Sequence, residues 1–352
     1  MSSPVSATVR ASRKQLVWFV FGSPINYTRR EAEAFKASGV ESLLSRADVS
    51  DDDVRRRMVA EAMSKWGRID AVATASPSAA TIQQLHGVDF AHDARPELLG
   101  TRLFSLEGRV AVVTGAGRGL GRTMALALAA AGADVVVASR TATEVEAVRD
   151  EIRALGRRSE AVIADAARED DCERLIEHTM TQLGALDILV NNAGINVRKP
   201  VLELSLEEFQ SVMATNLEGY FLCARAAGKR MVGQGSGKMI NVSSIMGRVA
   251  LPGQAAYASS KGAVEQLTKV LALEWAEAGV QVNALAPTYF ETELTRPLFE
   301  DAARHQFITE RTPMRRWGQP HELAGAVIFL ASSASDYVTG HTLVIDGGWT
   351  AW

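Results

Sequence analysis

The chain has 352 residues, 47% of them hydrophobic, and a formal net charge of −3. That length allows one large domain or two of ordinary size, and the apolar fraction suffices for a substantial core. The slight negative charge offers no basic patch for nucleic acid, while two isolated cysteines, Cys172 and Cys223, argue against a disulfide framework or metal site and suit a reducing cytoplasm.

Residues 1–14 are Ser-rich and basic without an acid, and read as a tail rather than a targeting peptide. Leu16–Phe21 is too short an apolar run to cross a membrane and reads as a strand, with a turn at Gly22-Ser23-Pro24 and a helix over 29–38. Residues 47–70 align without gaps with residues 164–187. In each stretch an Asp ends a strand, a helix follows, and G-x-φ-D (φ apolar) starts the next strand. The first hundred residues thus read as a degenerate, non-catalytic α/β segment. Thr74-Ala75-Ser76-Pro77 stands where the second copy has N-N-A-G, and residues 87–102, with Pro96 and Gly100, form the linker.

From Leu103 onward strands and helices alternate. The pattern predicts strands at 109–113, 134–138, 160–164, 187–191, 238–242, 280–286 and 342–346. Helices are predicted near 119–131, 142–155, 169–183, 206–232, 256–278 and 320–332. Strands joined by helical crossovers make an α/β fold, a doubly wound parallel sheet of the Rossmann type with seven strands. The turn after the first of them, Thr114 to Gly121, reads T-G-A-G-R-G-L-G. Gly115, Gly117, Gly119 and Gly121, with Arg118 and Leu120 between them, would let the backbone approach a pyrophosphate at the helix N-terminus. The second strand ends in Ser139-Arg140 instead of the acid that reads a 2′-hydroxyl. A guanidinium from Arg140 or Arg118 suits a 2′-phosphate, which favours NADP over NAD.

Further along, Tyr257 and Lys261 lie four residues apart and so share one face of a helix, with Ser244 thirteen residues earlier at a strand end. A cation beside a phenol, with a hydroxyl at the same point, is equipment for moving a proton to or from a carbinol oxygen. Lys261 is expected to lower the phenol pKa. Ser243 is the neighbouring candidate, but the spacing to Tyr257 favours Ser244. Arg198 and Lys199 are candidates for pairing with a substrate carboxylate.

These motifs, together with N-N-A-G at Asn191–Gly194, Asn216 in T-N-L-E-G and I-D-G-G at Ile345–Gly348, occur in an order that resembles the short-chain dehydrogenase/reductases over residues 103–352. Three segments are most similar to gluconate 5-dehydrogenase-like members: F-S-L-E-G-R-V from Phe104 to Val110, I-N-V-R-K-P from Ile195 to Pro200, and R-T-P-M-R-R-W-G from Arg311 to Gly318. The resemblance implies strand order 3-2-1-4-5-6-7 and a nicotinamide cofactor acting without a metal. It implies that Tyr257 is the acid or base, Ser244 the carbonyl donor, Lys261 a ribose contact and Asn216 the holder of a relay water. It also places Asp165 at the adenine, Asn192, Ala193 and Gly194 along the ribose side, and Pro287 and Thr292 at the nicotinamide. A substrate lid over 289–307 and a homotetramer or dimer follow from the same likeness. Where the family has Pro-Gly, this chain has Pro287-Thr288, and a β-branched residue tolerates positive φ poorly. The loop is therefore expected to differ in shape. The reading is an NADP-dependent interconversion of a secondary alcohol and a ketone on a small molecule such as a sugar acid. Reduction of a 3-oxoacyl thioester and a catalytically silent scaffold are the alternatives.

Overall fold

The computed structural model describes residues 17–21, 44–46, 57, 60, 64, 71–75 and 100–352. The chain divides into two compact units, Met1–Ala94 and Arg95–Trp352. In the first, β1 (Val17–Phe21) lies between β2 (Leu44–Arg46) and β3 (Ala71–Ala75), all parallel. Arg57, Ala60 and Ser64 are helical. The turn at Gly22, the helix over 29–38, Asp48 and all but the end of the 87–102 linker lie outside the described residues.

The second unit is built on seven strands. These are β4 (Val110–Thr114), β5 (Asp134–Ser139), β6 (Ser159–Ile163), β7 (Ile188–Asn191), β8 (Gly237–Val242), β9 (Val280–Pro287) and β10 (Thr342–Ile345). Their order is β10-β9-β8-β7-β4-β5-β6 with every pair parallel, the 3-2-1-4-5-6-7 order expected from the resemblance. A sheet covered on both faces needs apolar residues at successive positions, and β4 (VAVVT) is buried at all five.

Alternate residues go to opposite faces. Ala111, Val113, Val135, Val137 and Ile188 pack on one side with α1 (Gly119–Ala130), α2 (Ala142–Ala154) and α9 (Ala324–Ala331). Val110, Val112, Val136 and Leu189 pack on the other with α3 (Glu169–Leu183), α5 (Gly219–Gln234) and α6 (Ala255–Trp275).

Two stretches differ from the sequence prediction. The single helix expected over 206–232 is α4 (Leu206–Met213) and α5 joined by a π turn, Ala214–Glu218. Ser205 and Glu208 cap α4 reciprocally. The π turn widens the helix by one residue and turns Asn216 inward, where it is fully buried. The segment expected as a lid over 289–307 contains α7 (Arg296–Glu300) and α8 (Ala302–Arg311). Asp301 starts α8 by accepting hydrogen bonds from Ala303 N and Arg304 N, both at 3.1 Å.

Candidate active site

A cleft of about 300 Å³ opens at the carboxyl ends of the seven strands, where open α/β sheets place their ligands. The glycine turn forms its floor. Gly115 (φ 62°) and Gly119 (φ 54°) take left-handed backbone that side chains resist. A Cβ on Gly115 would stand 2.8 Å from Ala193 Cα, and one on Gly121 would stand 2.1 Å from the Gly115 carbonyl oxygen. The turn is therefore a cradle that side chains would fill, and it faces the N-terminus of α1.

The end of β7 buttresses that cradle. Asn192 Nδ2 donates to the carbonyls of Thr114 and Gly115, each at 3.0 Å, while Thr114 Oγ1 accepts from the amides of Asn192 (3.0 Å) and Ala193 (3.2 Å). Asn192 thus uses its side chain to hold the turn. With Gly117, Arg118 and Leu120, Ser139 and Arg140, Asp165, and Pro287 and Thr292 on the same walls, the residues present fit an extended dinucleotide. Asp165 shapes its own corner: its Oδ1 accepts from Ala167 N at 3.1 Å and its amide donates to Asp171 Oδ2 at 2.9 Å.

The opposite end of the cleft carries Ser244, Tyr257 and Lys261. Ser244 follows β8 and accepts from Met246 N at 3.2 Å, which fixes its hydroxyl at the strand end. Its hydroxyl acts on the Tyr257 phenol nearby. Ser243 is turned toward Glu265, donating to its Oε1 at 3.2 Å. Tyr257 keeps part of its ring open to the cleft. Burial pushes its phenol above the usual range, opposed by the nearby Ser244 hydroxyl and the Arg198 charge.

The expected lowering of the phenol by Lys261 is thus not what the protein alone produces. Lys261 is 2% exposed, and its Nζ donates to Val242 O (2.7 Å) and Tyr220 Oη (3.3 Å). The ammonium lies 5.7 Å from the Tyr257 ring centroid. No carboxylate among the described residues pairs with it, so burial lowers its pKa to about 7. The same dry surroundings penalise phenolate and ammonium alike, and each is weakened as a charge.

Asn216 stands one layer behind. Its Oδ1 accepts from Ile195 N at 2.8 Å, and its Nδ2 donates to Ile195 O (2.9 Å) and Ser260 Oγ (3.1 Å). Ser260 in turn donates to Tyr257 O at 2.7 Å. Asn216 therefore ties the strand-end loop to α6 at Ser260. Tyr220 escaped the sequence reading although it lies four residues after Asn216, on the same helical face. Its hydroxyl donates to Val242 O at 3.1 Å and its ring centroid is 4.9 Å from Lys261 Nζ.

The two basic candidates divide. Lys199 pairs with Glu208. Arg198 borders the cleft, its Nε is buried without a hydrogen-bond partner, and no carboxylate among the described residues pairs with it. Burial lowers its pKa, with the Tyr289 and Tyr257 phenols opposing that shift and the Arg304 charge adding to it. Thr288 does not take positive φ; its amide donates to Ile345 O at 3.2 Å and extends the β9–β10 ladder. Tyr289 then enters an aromatic wall, 5.6 Å from the Trp317 ring centroid and 5.3 Å from that of Trp349.

Known proteins share this chain's sequence pattern and fold. A family profile described as "Enoyl-(Acyl carrier protein) reductase" matches residues 115–350. Gluconate 5-dehydrogenase of Gluconobacter oxydans is 41% identical over 248 residues, covering 70% of this chain and 97% of the relative. The 2-dehydro-3-deoxy-D-gluconate 5-dehydrogenase of Escherichia coli is 43% identical over 252 residues, covering 70% and 98%. A gluconate 5-dehydrogenase from Burkholderia cenocepacia, solved in complex with NADP and tartrate, superposes with a TM-score of 0.69 at 44% identity, covering 71% and 98%. The chain belongs to the short-chain dehydrogenase/reductase family and is an oxidoreductase of CH–OH groups.

Proposed function

We propose that the protein interconverts a hydroxyl and a ketone on a sugar acid, using NADP in preference to NAD. The nicotinamide would supply or accept the hydride when bound, with the cofactor's pyrophosphate held by the glycine turn and its nicotinamide by Pro287 and Thr292. Tyr257 gives the proton to the carbonyl oxygen in reduction and takes it back in oxidation. Ser244, held at the end of β8, orients that oxygen. The protein keeps Tyr257 protonated around neutral pH, which supplies the acid for reduction, whereas oxidation gains as pH rises toward the raised phenol value. Asn216 holds the loop and helix that carry these groups, and a relay water beside it would return the proton to solvent.

The observation that carries the substrate class is Arg198. Among the described residues it has no carboxylate partner, one guanidinium nitrogen is buried without a bond, and it sits beside Tyr257. A half-buried guanidinium that borders the cleft fits a substrate carboxylate through paired, charge-assisted bonds. Relatives at about 40% identity act by name on gluconate and its keto derivatives, which fits. The arginines at Arg118 and Arg140, and NADP in related structures, support the choice of cofactor. The same reading makes the protein a homo-oligomer. Its support is the apolar outer face of α5 and α6, where Phe221, Val270 and Leu273 are exposed. Among the described residues no helix is long and apolar enough to cross a membrane.

A panel of aldonic acids, their keto forms and the matching neutral sugars, followed at the reduced-nicotinamide absorbance band, tests this. Turnover should require the carboxylate, and Arg198→Met should raise KM for the acid by about 100-fold with little effect on neutral ketones. Equal turnover of acids and neutral sugars would refute the assignment.

A further inference from the structure

The 2′ end of the cleft contains an acid that the strand-end residues do not announce. Glu144 lies in the first turn of α2, five residues beyond Ser139, and folds back over the glycine turn. A Cβ built on Gly117 would stand 2.7 Å from both Cβ and Oε2 of Glu144, and 3.2 Å from Ser139 Oγ. The carboxylate is 3.7 Å from Arg118 Nη1. That same nitrogen lies 3.2 Å from Glu293 Oε2, contributed by the segment after β9. Arg118 therefore serves two carboxylates from two elements, while Arg140 is exposed and has no ion pair among the described residues.

The two dinucleotides meet this arrangement differently. A 2′-phosphate brings nearly two negative charges. It would gain Arg140, but it would face Glu144 and would have to take Arg118 from its carboxylates. A 2′-hydroxyl brings no charge and needs an acceptor, the part an acid plays in dinucleotide folds. We infer that Glu144 is a specificity-determining residue at the 2′ position: it accepts from the ribose hydroxyl of NAD and opposes the phosphate of NADP, so that both cofactors are used. Glu293 shares the hold on Arg118 and contributes a weaker effect of the same sign on NADP. The inference rests on placing the 2′ pocket at Ser139–Arg140.

Dissociation constants of NADPH and NADH, measured by nucleotide fluorescence on the full-length wild type, Glu144→Gln and Glu293→Gln, test it. Glu144→Gln should tighten NADPH about tenfold and weaken NADH about threefold, with the NADPH gain shrinking at high ionic strength. Glu293→Gln should tighten NADPH by a smaller factor and leave NADH unchanged. An unchanged ratio of the two constants in folded Glu144→Gln would overturn the inference. If that variant fails to fold, Glu144→Ala takes its place, and an unchanged ratio there, with no effect from Glu293→Gln, would overturn it equally. Tighter binding of NADH than NADPH by the wild type would contradict the proposed NADP preference, but the shift on neutralising Glu144 still decides this claim.

Discussion

A buried ammonium without a carboxylate partner is costly, and Lys261 shows where that cost is tolerated. Its pKa falls from 10.5 to about 7, a penalty on the order of 5 kcal/mol for the charged form. The folded value lies below the unfolded one, so between about pH 7 and 10.5 the unfolded chain holds the proton more tightly. Stability contributed by this group therefore rises with pH across that window, and the full penalty applies below pH 7. Lys261→Met should abolish turnover yet raise the melting temperature at pH 7, and the gain over wild type should shrink at pH 9. Scanning calorimetry at both values checks this; a melting point several degrees lower at pH 7 would contradict it. Val242 O keeps the Tyr220 hydroxyl as donor in that variant, so no carbonyl is orphaned.

The elements that hold these residues show what sequence patterns can and cannot convey. Strand and helix positions were legible because β-branched runs and amphipathic stretches are local signals. The glycine turn was legible for the same reason. Gly121 is the most constrained of its glycines, since its missing Cβ would meet backbone at 2.1 Å. Gly121→Ala should weaken NADPH at least about tenfold and cost about 1–3 kcal/mol of stability. Binding and urea unfolding check both, and normal affinity would show that the turn is not the cradle described.

The π turn at Asn216 was not legible, because one extra residue in a helix leaves the apolar pattern nearly intact. Tyr220 was missed because its function depends on Lys261, which is distant in sequence. Glu144 was missed because the sequence pattern looks for an acid at the end of the second strand, whereas here it comes from the following helix. The separation of Arg198 from Lys199 needed coordinates, since only contact with Glu208 shows which cation is occupied.

At the scale of the molecule, the cleft's described lining belongs to the seven-stranded unit, and the first unit has its own three-stranded parallel sheet. In the larger sheet the first, third and fourth strands, β4, β6 and β7, lie with β5 between β4 and β6. The order β2-β1-β3 is that arrangement without its second strand. The alignment of residues 47–70 with 164–187 fits the same correspondence. A chain starting at residue 101 should keep kcat and NADPH affinity within about twofold of the full protein. Loss of turnover in a folded truncation would assign the first unit a part in catalysis.

Proton transfer by Tyr257 within reach of a bound nicotinamide is the step on which the proposed activity depends. The direct measurement is kcat of Tyr257→Phe for the active ketone, with NADPH affinity measured alongside. Turnover should fall by about 10²–10⁴-fold while affinity stays near wild type. Turnover close to wild type would contradict it.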